Sequence, residues 1–209
     1  MANVSVENME LKAGKGRVSF VVKDEGGNEN NFSHFGTIKG EGKWCKVLEP
    51  DQYDNYAVDV YGDLTHVVQE AEGIIEKAKE LLEAGGKKVN GTADIIKEDN
   101  EGNEYLQFKR KGSKADGEPN TPPKIYDKHG ALVEGWDKLV GNGSKVGVAY
   151  MLSPYYMAST KMVGVSIKFY AIQVIELVEY KSGGGSNPFG NESDEDAPFD
   201  TDTTTDDEY

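Results

Sequence analysis

Only one stretch of this chain has a good helical period. Leu64, Val67, Val68, Ala71, Ile74, Ile75, Ala78, Leu81 and Leu82 recur at spacings of three and four, which puts them on one face of an α-helix of about five turns. Asp63 is placed to cap its start and Gly85-Gly86 to end it. Everywhere else the apolar residues alternate or run short. Residues 18–22, 35–47, 56–61, 93–96, 105–111, 124–127, 146–152 and 163–178 are predicted strands, separated by Gly, Pro, Asn and Asp. Gly36, Gly40 and Gly42 break the second of these and predict bends or bulges. In the last, Val163, Val165, Ile167, Phe169 and Ala171 alternate, and then the apolar phase slips to Ile172 and Val174. Such a slip predicts a bulge or coil, the device by which one long strand serves two sides of a barrel.

One helix inserted among strands of uneven length predicts a mainly β chain: an OB-fold-like, partly open β-barrel with one long amphipathic helix. After Lys181 the composition changes abruptly. A Gly183-Gly184-Gly185-Ser186 linker leads into a stretch with nine acids and no base, closing on Asp206-Asp207-Glu208-Tyr209. Dense like charge with few apolar groups predicts disorder. The chain is therefore expected to divide into a folded domain over 1–181 and an acidic tail over 182–209.

Charge narrows the function. The formal net charge is −14, and the tail carries nine of those negative charges, leaving −5 on residues 1–181. A mildly acidic body binds a polyanion only through a local patch. Arginine is confined to Arg17 and Arg110, while lysine is plentiful. Lysine meets phosphate as a point charge and is poor at bidentate base reading, so sequence-specific duplex recognition is disfavoured. Cys45 is the one cysteine, which rules out an internal disulfide framework and fits a reducing cytoplasm. No apolar run approaches membrane-spanning length, and no membrane partner is expected. His34, His66 and His129 are scattered. They form no zinc spacing with Cys45, and P-loop, dinucleotide and serine-elbow motifs are absent. No enzyme activity, cofactor or metal is expected.

The most informative interior segment is 105–111. As a strand it turns Leu106 and Phe108 one way and Tyr105, Gln107, Lys109 and Lys111 the other. A ring for stacking and ammoniums for phosphates are what a single-strand platform needs. An ordinary solvated strand face has the same pattern; the tail tips the balance toward binding. Lys124 and Tyr126 share a face of the next strand. Tyr155 and Tyr156 sit in a loop-like Ser153-Pro154 context, where stacking on bases and covering a barrel end are equal alternatives. Trp44, beside Lys43, is a further stacking candidate, although tryptophan is more often buried.

Several segments in order resemble the single-stranded DNA-binding proteins of tailed bacteriophages, T7-like in tail design with an OB-fold body. They are Lys46-Val47-Leu48-Glu49-Pro50-Asp51 ahead of a tyrosine-rich strand; Phe108-Lys109-Arg110-Lys111 followed by Pro123-Lys124-Ile125-Tyr126-Asp127; Val163-Gly164-Val165-Ser166-Ile167-Lys168-Phe169 running into Ala171-Ile172-Gln173-Val174-Ile175; and the acidic tail ending in Tyr209. Tails of that family often end in Phe, and here Tyr209 is last. The resemblance implies binding of unpaired DNA in replication, recombination and repair, in the host-cell cytoplasm. It also implies contacts of the tail (Phe199, Asp206, Asp207, Glu208, Tyr209) with replication proteins such as a polymerase or helicase–primase. A homodimer is compatible with the sequence. The competing expectation is an acidic-tailed protein-interaction module, a histone-like chaperone or DNA mimic, which would need no basic aromatic face.

Overall fold

The structure, a computed structural model, describes residues 5–14 and 18–179. The expected tail, with its disorder and its docking residues, lies outside the described residues. A short 3-10 turn precedes β1 (Glu10–Ala13), β2 (Val18–Lys23) and β3 (Glu29–Asn31), which form a three-stranded antiparallel sheet of their own. Then come β4 (His34–Lys46), β5 (Asn55–Tyr61), α1 (Thr65–Ala84), β6 (Gly91–Thr92), β7 (Lys97–Glu98), β8 (Glu104–Lys111), β9 (Lys124–Tyr126), β10 (Ser144–Met157) and β11 (Met162–Glu176).

Five of these strands close a barrel. β4, β5 and β8 form an antiparallel meander; β10 joins β4 on one side and β11 on the other, both antiparallel. β8 meets β11 in parallel at a single position, Lys109 opposite Lys168. This is the five-stranded Greek-key order of an OB-fold, with its loosest seam between β8 and β11. The helix stands between the second and third barrel strands.

The phase slip in β11 is a bulge. Ala149 pairs with Ala171 but Tyr150 pairs with Phe169, so Tyr170 is the extra residue. Ala171 and Ile172 are both buried as a result, and beyond the bulge β11 also pairs with β9 at Ala171–Gln173. Gly36 and Gly40 lie within β4. They do not interrupt it, because each makes a close approach. A Cβ on Gly36 would lie 2.3 Å from the Tyr150 hydroxyl, and one on Gly40 would lie 2.3 Å from the Tyr61 carbonyl oxygen.

α1 buries Val67, Ala71, Ile74, Ile75, Ala78 and Leu82 in the same core that holds Phe108, Tyr150 and Phe169. Asp63 Oδ1 accepts from the Thr65 N–H at 3.1 Å, one position earlier than a regular cap. At the other end Lys87 N–H bonds the Leu82 carbonyl and Gly86 N–H the Glu83 carbonyl, with Gly86 at φ +72°. That is the Schellman ending a glycine pair supplies.

Two expectations about local structure are corrected. Residues 93–96 are not a strand. Ala93 N–H still bonds the Val163 carbonyl, and the chain then leaves the sheet and packs Ile95 and Ile96 against the core. Tyr155 and Tyr156 are not in a loop; β10 continues through them. Pro154 is tolerated because β4 pairing ends at Leu152, so one side of the strand is an open edge that needs no N–H. Among the described residues, no helix is long and apolar enough to cross a membrane.

Candidate nucleic-acid interface

The alternation of β8 orders one outer wall of the barrel. Leu106 and Phe108 are fully buried, and Tyr105, Gln107, Lys109 and Lys111 face outward. β5 pairs with β8 so that Asp59 lies opposite Gln107 and Ala57 opposite Lys109. The same register brings Tyr61 onto Tyr105. Their rings stack, with centroids 5.2 Å apart and planes 23° from parallel. Lys43 of β4 places its Nζ 4.1 Å from the Tyr61 ring centroid, a cation–π contact that holds the ammonium at the edge of the pair.

Beneath the rings lies a polar chain. Asp59 is buried, and its Oδ1 accepts from Gln107 Nε2 at 2.9 Å. Gln107 Oε1 in turn accepts from Lys97 Nζ at 2.6 Å. Burial pushes the Asp59 carboxyl above its ordinary range, while the Gln107 bond and the charges of Lys97 and Lys109 pull it back. Desolvation first, then the Asp99 and Asp59 carboxylates, push the Tyr61 phenol up to about 12, so it stays neutral at any working pH. The wall thus offers neutral rings flanked by Lys43, Lys97 and Lys109, with Lys168 beside Lys109 across the seam.

The rim adds exposed aromatics. Between Lys43 and Lys46 the β4–β5 register shifts, and Trp44 sits there at φ +52°, a left-handed conformation rare for a side chain of this size. Its backbone N–H is held by Asn142 Oδ1 at 2.8 Å, and it is 66% exposed. Tyr53, in the β4–β5 loop, is 70% exposed, and its carbonyl accepts from Lys111 Nζ at 3.1 Å.

Tyr105, Gln107, Lys109, Lys111 and Lys43 therefore come together, with Trp44 on the strand that supplies Lys43. Lys124 and Tyr126 lie elsewhere, on β9 alongside β11. Tyr155 and Tyr156 lie at the far end of the β10–β11 hairpin. Tyr156 donates its hydroxyl to the Lys88 carbonyl at 2.8 Å, and the Tyr155 phenol lies against Gly164. No hydrogen bond or ring contact of these two reaches the tyrosine pair. Sequence reasoning missed Tyr61, Asp59, Lys97, Tyr53 and Lys168. The parity of Asp59 and Tyr61 along β5 was visible; their register against β8 was not. Among the described residues, no group of three or more His, Cys, Asp or Glu is arranged to hold a metal ion.

No family model matches the chain, and no curated protein sequence matches it. Solved structures do. The chain is similar to gp2.5, a single-stranded DNA-binding protein encoded by bacteriophage T7. The TM-score is 0.56 and the identity 20%, over 69% of this chain and 92% of that one. It is also similar to the single-stranded DNA-binding protein from bacteriophage Enc34, at 14% identity and TM-score 0.41, over 84% of this chain and 94% of that one. The Enc34 protein in complex with single-stranded DNA matches at 16% identity and TM-score 0.41, over 83% and 98%. The likeness to the T7 protein establishes a shared fold, the one expected from the sequence.

Proposed function

We propose that this protein binds single-stranded DNA without sequence specificity, on the wall built by β4, β5 and β8. One observation carries the reading: the Tyr61–Tyr105 stack, ringed by Lys43, Lys97 and Lys109 on a chain of net charge −14. Rings accept any base by its π-face, and ammoniums accept phosphates, so affinity without sequence readout follows. The face formed by the second and third barrel strands is where OB-folds take oligonucleotides. The T7 protein of like fold is itself described as a single-stranded DNA-binding protein, which adds weight.

Titrating a fluorescent oligonucleotide, single-stranded and as a duplex, tests the reading. Tight binding of the single strand, weaker binding of the duplex and little dependence on sequence are expected; a preference for duplex would refute it.

Segment 182–209 extends the proposal. Tethered by its glycine linker, it reaches an effective concentration near millimolar at the body. Its nine carboxylates compete with DNA for the lysines. DNA displaces it, and the freed acids and rings of Phe199 and Tyr209 recruit replication proteins, a polymerase or helicase–primase, in replication, recombination and repair. Deleting 182–209 should raise single-strand affinity, most at low salt. Equal affinity with and without the segment would remove this role.

A further inference from the structure

The wall formed by β4, β10 and β11 carries a second cleft that the tyrosine pair does not use. It holds about 250 Å³, between the outer faces of β4, β10 and β11 and the overhanging β9 with its turn. Four cross-strand partners line it in one row. Lys39 pairs with Gly147, Gly147 with Gln173, and Gln173 with Tyr126. Partners across a sheet share a face, so a cation stands at one end of the row and a ring at the other. Three strand spacings separate them, roughly 15 Å.

The middle of the row is open and polar on one side. Gln173 Nε2 donates to the Asp127 carbonyl at 3.1 Å and to the Lys128 carbonyl at 3.3 Å. Two carbonyls can face only the amide nitrogen, so Gln173 Oε1 is turned the other way. It lies over Gly147, where a Cβ would come within 3.3 Å of it, and it has no partner among the described residues. Gly147 has an ordinary backbone conformation, and the nearest atoms to a Cβ there belong to the Gln173 and Lys39 side chains. Lys39 makes no ion pair among the described residues, and it lines the adjoining cleft too, beside Glu41, Lys145 and Tyr61. Of those charges, Glu41 Oε1 lies 3.9 Å from Lys43 Nζ and Lys145 pairs with Glu176 at 2.9 Å. Lys39 thus belongs to the linings of both clefts, with Tyr126 in one and Tyr61, stacked on Tyr105, in the other.

We propose that the row Tyr126–Gln173–Gly147–Lys39 is a second nucleobase site for the same DNA strand, selective for bases that carry an exocyclic amino group. The base stacks on Tyr126, its phosphate meets Lys39, and its amino N–H donates to Gln173 Oε1. Thymine presents O4 where cytosine presents an amino group, and so sets an acceptor against an acceptor. This inference rests on the single-strand reading above and adds to it a longer occluded site and a mild base preference.

Oligonucleotide length separates the two claims. A strand of about 4 nucleotides is served by the tyrosine pair alone, and one of about 12 reaches both clefts. Binding of oligo-dC and oligo-dT of each length is measured for the full chain, for Gly147→Val, which fills the cleft, and for Tyr126→Ala, which empties its wall. Thermal unfolding checks that both variants fold, and either variant alone suffices. For the longer oligo-dC, a weakening of about fivefold or more is expected, with the shorter strand changed less than about twofold. The wild-type preference for long dC over long dT should shrink in both variants. Unchanged binding of the longer strands, or equal weakening at both lengths, overturns the second site and leaves the first intact. A wild-type chain that binds neither length removes both.

Discussion

The cleft beside Tyr61 and the cleft beside α1 are of similar scale, about 560 and 780 Å³; β4, β5, β10 and β11 line the first, and α1, residues 92–96, Glu98 and Glu104 of β8 line the second. Their chemistry is opposed. The first adjoins the stacked tyrosines and their lysines. The second has Val68, Ile95 and Ile96 on its floor and Glu72, Glu76, Asp94, Glu98 and Glu104 around it, with Lys79 the basic residue among them. Strand alternation does the sorting. Lys97 pairs with Tyr105 and Glu98 with Glu104, so consecutive residues of β7 and β8 send cation and ring to one wall and carboxylates to the other. Net charge and cleft size alone would have pointed to the roomier, acidic side. The difference teaches that a chain of net charge −14 can still present a wall of rings and ammoniums, provided a two-residue period separates the signs.

The heaviest way to break this arrangement is Phe108→Ala. Phe108 is fully buried against Tyr150 in β8, the strand that carries both Tyr105 and Glu104. A loss of about 3–5 kcal/mol is expected in denaturant unfolding, with binding lost alongside. A smaller and more selective effect comes from Tyr105→Ala. It should weaken single-strand binding by about 1–3 kcal/mol, whereas Glu72→Gln with Glu76→Gln should weaken it not at all. Equal losses from the two changes would erase the contrast between the clefts.

Asp59 sharpens the comparison through pH. Its carboxyl ionises less readily in the folded chain than at its ordinary value of 3.8, because burial disfavours the charge. Its favourable contribution is therefore full below 3.8 and is lost as pH rises through the raised folded value. Asp59→Asn should gain stability relative to wild type at neutral pH, and the gain should vanish in acid; melting curves across pH read it. The smallest expected effect is Glu104→Gln. It relieves a like-charge pair directly across the ladder and should stabilise by about 0.2–1 kcal/mol in the same unfolding assay.

Much of this was legible in the sequence where the cause was local. The helix followed from nine apolar positions, the β11 bulge from a phase slip, and the two faces of β8 from simple alternation. What escaped depends on pairing between distant segments. The three-stranded sheet of β1, β2 and β3 and the parallel partners of β11 leave no period in any single stretch. Tyr61 became a site residue only when the β5–β8 register set it on Tyr105. Trp44 is exposed because a bulge puts it in a left-handed conformation, which nothing in Lys43-Trp44-Cys45-Lys46 announces. One local device also went unread. Asp24, Asp51, Asp99 and Asp127 each accept the N–H groups two and four residues ahead through one oxygen, closing four separate turns in the same way. In Asp24, Asp99 and Asp127 the backbone N–H four residues on holds the carboxyl below its usual range. Asp127 was expected to end the strand over 124–127, and it instead closes the turn that follows β9.

On the proposed reading, Lys109 and Lys111 hold the DNA phosphates beside the Tyr105 ring. The salt dependence of binding tests it most directly, comparing wild type with Lys109→Ala plus Lys111→Ala on a single-stranded homopolymer. Each lost phosphate contact should lower the slope of log affinity against log salt by about 0.7, so the double variant should fall short of wild type by about 1.4, whatever the base. A double variant with the wild-type slope and affinity would place the DNA elsewhere on the molecule and contradict the account.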